Sequence, residues 1–216
     1  MNKISILGDS ISTFKGMIPP SCHTCYPKDD SDVVSADLTW WALLCSRMKL
    51  ELVVNQSYSG ARISPCGLEA HSIDSCFSSY ERWGFLGEAD LIILFGGTND
   101  YGSAIDPASP AFFRSSYRTL LHNLGARYPK AKVFCCTPIK RLDRPFNKAN
   151  ANGLDYLGLC SIVREEARAS GCSLIDLATM DYDEDDHVLC DGLHPTAKGM
   201  AMIESMMENA ISKEII

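Results

Sequence analysis

The sequence predicts an α/β fold in which a parallel sheet of five strands carries helices on both faces. Two observations predict it. Five apolar stretches of strand length alternate with stretches of helical period, which is the pattern of a parallel sheet with crossover helices. The third of these strands is apolar at every position, as a central strand covered on both faces should be. The 216 residues suit one domain, residues 1–216, and can bury a sizeable core.

Taken in order, the first strand is Ile4 to Leu7. A long connection, Ile11 to Leu38, leads to a helix at about Thr39 to Met48 and a second strand, Leu52 to Asn55. A helical pattern over Leu68 to Tyr80 precedes the third strand, Leu91 to Phe95. Ala111 to Tyr128 reads as helix and Lys132 to Cys136 as the fourth strand. A second long connection, Thr137 to Gly153, leads to a helix over Leu154 to Ser170 and a fifth strand, Ser173 to Ile175. The acidic run Asp181 to Asp186 reads as a solvated loop. The last helix, Thr196 to Ser212, has an apolar stripe of Ala197, Met200, Ala201, Ile203, Met207 and Ala210, with Pro195 at its start, where a missing N–H does no harm. Both long connections follow strands on the rim where the polar clusters fall, so they are expected to wall a substrate site.

The net charge of -7 and the absence of a Lys/Arg cluster argue against nucleic acid as a partner. Met1-Asn2-Lys3 runs straight into Ile4 to Leu7, too short for a signal-peptide core, and no apolar run approaches a membrane span. A cytoplasmic location without integral membrane association is therefore expected, although an export signal removed beforehand would leave no trace. The ten cysteines are scattered, several in core segments such as Cys135-Cys136 and Cys160. Cys22-His23-Thr24-Cys25 lacks the second pair a zinc site needs and lies in a loop rather than at a helix start, so two reduced thiols are expected.

Four polar clusters carry the chemistry: Gly8-Asp9-Ser10, Ser59-Gly60, Gly96-Gly97-Thr98-Asn99-Asp100 and Asp191-Gly192-Leu193-His194-Pro195. The first three follow the first three strands, on the rim where open parallel sheets bind ligands. The fourth precedes the final helix and can fold back over that rim. Asp191 and His194, three apart across Gly192, are spaced so that the carboxylate holds one imidazole nitrogen while the other faces outward. His194 is then the base for Ser10, and the Ser10 N–H, the Gly60 N–H and the Asn99 side-chain amide are candidate oxyanion donors. His187 has acidic neighbours but sits in the solvated run, and His23, His71 and His122 lack an evident partner.

Taken singly, each residue also has a plain structural reading. Ser10 could cap a helix, Gly60 could serve a positive-φ turn, Asn99 with Asp100 could form an Asx turn, and His194 could be a surface residue. Jointly those readings leave the order of the parts unexplained.

These motifs, spanning nearly the whole chain, resemble those of the SGNH (GDSL-like) hydrolases, named for a Ser, Gly, Asn and His that stand here as Ser10, Gly60, Asn99 and His194. The resemblance implies a three-layer, flavodoxin-like α/β/α sandwich and a serine hydrolase mechanism without metal or other cofactor. It implies esters of lipids, sugars or other small alcohols as substrates. Ser10 becomes nucleophile and donor, Gly60 and Asn99 donors, His194 the base and Asp191 its orienting carboxylate. Two departures stand out: Ile11 follows Gly8-Asp9-Ser10 where the motif has Leu, and Ser57 occupies a position where many members carry glycine.

Polar residues in both long connections, among them Lys15, His23, Lys28, Lys140, Asp143 and Asn147, favour a small-acyl ester of a polar alcohol such as an acetylated sugar. Arg62, Asp143 and Asn147 are the candidate substrate contacts, with a surface salt bridge as the other reading of Arg62. A lipid or lysophospholipid acylhydrolase is the alternative within the family. A silent carbohydrate-binding module is opposed by the intact set of catalytic side chains. A metallophosphoesterase using Asp9, Asp100, Asp191 and His194 lacks the early D-x-H its metals require.

Overall fold

The structure, a computed structural model, describes residues 2–65, 76–103 and 106–215. Five strands, β1 (Lys3–Gly8), β2 (Glu51–Asn55), β3 (Leu91–Phe95), β4 (Lys132–Cys136) and β5 (Ser173–Ile175), form one parallel sheet in the order β2-β1-β3-β4-β5. The strand order reverses at β1, which lies between β2 and β3. All five strands stand where the apolar stretches placed them.

The helices are α1 (Trp40–Met48), α2 (Tyr80–Trp83), α3 (Thr98–Gly102), α4 (Pro110–Arg127), α5 (Tyr156–Ala169) and α6 (Ala197–Ile215). Local chemistry sets their starts. Thr39, Ser109 and Asp155 cap α1, α4 and α5 by accepting from Ala42, Phe112 and Gly158 N–H groups. The helical pattern over Leu68 to Tyr80 lies mostly outside the described residues; of its described end, 76–79 form a turn rather than helix and Tyr80 opens α2.

Alternation along β3 builds the three layers. Leu91, Ile93 and Phe95 face a core shared with Trp40 and Leu44 of α1 and with Met200, Ile203 and Met207 of α6. Ile92 and Leu94 face a second core shared with Phe113 and Leu120 of α4 and with Leu159 and Val163 of α5. Every β3 side chain is fully buried, so the central strand is sealed on both faces.

Two features of α6 differ from the sequence reading. Its buried seam is Met200, Ile203, Met207 and Ile211, while Ala201 is exposed, because one residue past Met200 is about 100° around the helix. Pro195 lies two residues before the helix. The start is capped by Thr196 Oγ1, which accepts from Gly199 N–H, and by Asp32, which accepts from Ala197 N–H at 2.6 Å. Glu204, a charged residue inside this helix face, is buried and meets Arg47 of α1 at 3.3 Å.

Among the described residues, no helix is long and apolar enough to cross a membrane.

Candidate active site

The register of β1 with β2 and β3 pairs Gly8 with Phe95 and Ile6 with Asn55, so β1 and β3 end together and β2 ends two residues earlier, at the same edge of the sheet. Residues that follow them are delivered to one rim. After β1 the chain makes a single 3-10 turn, Ser10–Ser12, capped by Asp9, whose carboxylate accepts from Ile11 N–H at 3.1 Å. Asp9 therefore takes the capping role that Ser10 alone could have filled, and the Ser10 hydroxyl is left to face His194.

His194 Nε2 lies 3.0 Å from Ser10 Oγ, and His194 Nδ1 lies 2.7 Å from Asp191 Oδ2. The other Asp191 oxygen accepts from the Leu193 and His194 N–H groups at 2.9 and 2.7 Å. Partial burial opposes ionisation of Asp191. The hydrogen bonds from the His194 N–H and ring and from the Leu193 N–H outweigh it, holding the carboxyl well below its ordinary range. An ionised Asp191 keeps the imidazole proton on Nδ1, which leaves Nε2 to accept from the Ser10 hydroxyl.

The turn that carries this pair is built to hold its shape. Gly192 has φ +78, and a Cβ there would meet the Asp143 backbone nitrogen at 2.8 Å, so glycine is required on both counts. The Gly192 carbonyl accepts from Leu142 and Asp143 N–H groups at 2.7 and 3.2 Å. Cys190 N–H donates to the His194 carbonyl, and Leu189 and Pro195 pair as an antiparallel bridge, closing the turn at its base.

The Ile11 to Leu38 connection contributes more than a wall. Tyr26, fully buried, donates its hydroxyl proton to the Pro195 carbonyl at 2.7 Å and presents its ring edgewise to His194. Lys28 Nζ reaches Asp191 Oδ2 at 3.3 Å and also binds Asp30. Sequence reasoning missed both, because contacts between residues about 170 positions apart leave no local pattern. Within the same connection His23 stacks on Tyr58, and Cys22 and Cys25 are free thiols, Cys22 accepting from Arg82.

On the opposite side, Gly60 sits in a turn at φ +84. Asn99 Nδ2 donates to the Ala61 carbonyl at 2.9 Å, tying the second strand's loop to α3. Asp100 strengthens that tie: its carboxylate accepts from Ile63 and Ser64 N–H groups at 2.9 and 2.8 Å and from the Ser64 hydroxyl. Burial raises the Asp100 pKa against these bonds. Asp100 thus fixes the Gly60 loop relative to Asn99, a positioning role that the Asx-turn reading did not foresee. Asp9 is buried beside it. Burial, helped by the Asp100 charge and opposed by the Ile11 N–H bond and by Arg141, lifts its carboxyl to about 7.

The remaining sequence candidates separate. Arg62 is 1% exposed, donates to the Asp106 carbonyl and the Ser64 hydroxyl, and lies 4.0 Å from Asp100. It is a buried internal group, neither a substrate contact nor a surface salt bridge. Asp143 stands against the turn that bears Asp191 and His194, with its carboxylate held by Arg141 at 2.8 and 2.5 Å. Asn147 is exposed on the same connection. Ser57 donates its hydroxyl and its N–H to Asn55 Oδ1 at 2.5 and 3.1 Å, which sets the loop shape at the position that departs from glycine. His122 is exposed on α4, His187 ends a 3-10 turn at φ 54, and His71 lies outside the described residues.

Asp9 and Asp100, required by the metallophosphoesterase reading, are turned to backbone N–H groups. Among the described residues, the side chains whose ligand atoms cluster within 4.8 Å are Asp30, Cys190 and Asp191, with Lys28 contacting both carboxylates.

Residues 2–211 match the family model of GDSL-like lipase/acylhydrolase. Among solved structures, a protein of Bacteroides uniformis assigned to the GDSL-like lipases superposes with a TM-score of 0.74 at 28% identity, over 99% of this chain and 96% of that one. Another so assigned, from Bacteroides ovatus, gives 0.73 at 26% identity over 99% of both chains. An acetyl xylan esterase shares the fold, with a TM-score of 0.65 at 19% identity, over 99% of this chain and 100% of that one. No curated protein matches the chain.

Proposed function

The chain belongs to the GDSL-like lipase/acylhydrolase family and is an ester hydrolase, and from that footing we propose a metal-free serine esterase acting on small-acyl, acetyl-type esters, with carbohydrate esters as natural substrates. The observation that carries the reading is the continuous contact from Asp191 through His194 to Ser10, at 2.7 and 3.0 Å.

In this reading His194 Nε2 takes the proton from Ser10 as its oxygen attacks the ester carbonyl. The negative charge that develops on the carbonyl oxygen is received by the Ser10 N–H, the Gly60 N–H and the Asn99 amide. Each such donor is worth about 2.7–4 kcal/mol of barrier. Asp191 stabilises the imidazolium, which then protonates the departing alkoxide as the carbonyl–alkoxide bond breaks. Water, deprotonated by His194, attacks the acyl-Ser10 carbonyl and releases the carboxylic acid with Ser10 restored.

The polar character of the walls supports a short acyl group on a polar alcohol. Arg141, Asp143, Arg144 and Lys148 crowd the connection that leans on the catalytic turn, and Asn147 on its exposed edge is proposed to meet the alcohol portion. A long acyl chain would require an apolar groove in their place.

The test is hydrolysis of p-nitrophenyl acetate, butyrate and octanoate in EDTA by the wild type and Ser10→Ala. Activity that persists in EDTA, falls with chain length and disappears in Ser10→Ala is expected. A preference for octanoate would overturn the small-acyl assignment. Equal activity in the variant would overturn Ser10 as nucleophile.

A further inference from the structure

A cavity of about 360 Å³ lies between the end of α3, at Tyr101 and Ser103, and the connection bearing Asp143, Arg144 and Lys148. Each of its walls is tied to the site already described. Ser103 N–H donates to the Asn99 carbonyl at 3.1 Å, and Asp143 N–H donates to the carbonyl of Gly192, between Asp191 and His194. The cavity's walls therefore stand on the elements that carry Asn99 on one side and Asp191 and His194 on the other.

Its charge is unbalanced. Two cations of its lining, Arg144 and Lys148, face one lining carboxylate, Asp143, which the neighbouring Arg141 already pairs. Arg141 holds both oxygens of that carboxylate and is itself buried. Arg144 lies 4.0 Å from Asp143, and its Nε is buried without a hydrogen-bond partner. Lys148 is exposed and makes no ion pair among the described residues. In a chain of net charge -7, this local excess of positive charge is not the background.

The geometry of Arg144 suits one kind of partner. Its guanidinium carbon lies 5.9 Å from the centroid of the Tyr101 ring, with the Arg141 guanidinium at 5.8 Å from the same centroid. An arginine held over a ring offers its planar fork to the two oxygens of a carboxylate, sulfate or phosphate. A neutral sugar in this cavity would leave the Lys148 ammonium without a counter-charge and the Arg144 guanidinium with only the Asp143 carboxylate, which Arg141 already holds.

We infer that this cavity receives an oxyanion substituent of the substrate, so that the preferred ester carries a carboxylate, sulfate or phosphate group besides the ester bond. The inference rests on the esterase reading above and narrows its substrate class to acidic esters, such as those of an acidic or sulfated sugar.

The test compares phenyl acetate with 4-acetoxybenzoate, 4-acetoxybenzenesulfonate and 4-acetoxyphenyl phosphate, each rate divided by that of hydroxide. The three anionic esters separate carboxylate, sulfonate and phosphate recognition. The wild type is expected to favour at least one over phenyl acetate by about tenfold in kcat/KM. That ratio should fall by about tenfold in Arg144→Gln and by less in Lys148→Gln, through KM and more weakly at high salt. A parallel measurement needs no turnover: calorimetric binding of 4-hydroxybenzoate against phenol to the wild type and Arg144→Gln. Loss of the anion preference in the variant by either readout supports the site. A wild type that prefers neither anionic esters nor 4-hydroxybenzoate overturns it, as do variants that lower anionic and neutral esters alike. If no ester is turned over yet 4-hydroxybenzoate binds through Arg144, the anion site stands and the esterase reading fails.

Discussion

Three carboxylates border the proposed reacting centre, and they sit in two opposite environments. Asp191, in a solvent-edged turn, is held ionised by His194 and backbone N–H groups and presents its charge to the imidazole. Asp9 and Asp100, on the floor beneath Ser10 and Asn99, are fully enclosed, and burial pushes both pKa values up. In the proposed mechanism the turn supplies charge to the imidazolium, while the floor supplies acceptors that fix backbone. Replacing a carboxylate by its amide should therefore damage chemistry in one region and architecture in the other.

The largest effect falls on the turn. Asp191→Asn keeps the acceptor for the Leu193 and His194 N–H groups but presents an amide to Nδ1, which favours the wrong tautomer. We expect kcat on p-nitrophenyl acetate to fall by on the order of 10⁴-fold, with only the modest fall in melting temperature that follows from losing a carboxylate the fold holds ionised. A comparable loss of stability would erase the distinction between the two regions.

Asp100→Asn probes the floor. One amide cannot accept from Ile63 N–H, Ser64 N–H and the Ser64 hydroxyl while its own NH₂ points at one of them. A destabilisation of about 2–4 kcal/mol is expected in urea unfolding. Displacement of the Gly60 loop from Asn99 should cost about 10²-fold in kcat. Full activity with lost stability would show that Asp100 does not position the oxyanion donors.

Asp9 sharpens the comparison through pH. Its free carboxyl has an ordinary pKa of 3.8, and in the fold it rises to about 7. Between these values the unfolded chain has released a proton that the folded chain retains, so this group's contribution to stability is lost as pH rises through that window. Asp9→Asn, which keeps the acceptor for Ile11 N–H, should melt about 2–6 °C above the wild type at pH 8 and show no advantage at pH 4. An advantage independent of pH would mean that Asp9 is ionised in the fold. The smallest effect is expected from Tyr26→Phe, which removes the bond to Pro195 at a cost of about 1 kcal/mol; calorimetry measures it directly.

Legibility in the sequence followed the range of the interactions. Strands were visible because β1, β3 and β4 are apolar runs bounded by polar residues, and α1, α4 and α5 because their buried faces repeat at helical spacing. The five-residue helix α3 is too short to show a period, and its role appears only through Asp100's reach to Ile63 and Ser64. Ser10, Gly60, Asn99, Asp191 and His194 stood out because each sits in a compact motif at a strand end or helix start, and their roles belong to the proposed mechanism. The contacts of Tyr26 and Lys28 and the placement of Arg144 over Tyr101 did not, since they arise only when distant segments meet. Arg62 misled because its place two residues past Gly60 suggested exposure, whereas the chain turns inward there to meet Asp100.

The central claim is that the Asp191–His194 pair activates Ser10, and covalent labelling tests it most directly. Wild type, His194→Ala and Asp191→Asn would be treated with a fluorophosphonate and the modified peptide mapped by mass spectrometry. One label is expected, on Ser10, forming rapidly in the wild type, more slowly in Asp191→Asn and scarcely in His194→Ala. A label on another residue, or equal rates in all three proteins, would contradict it.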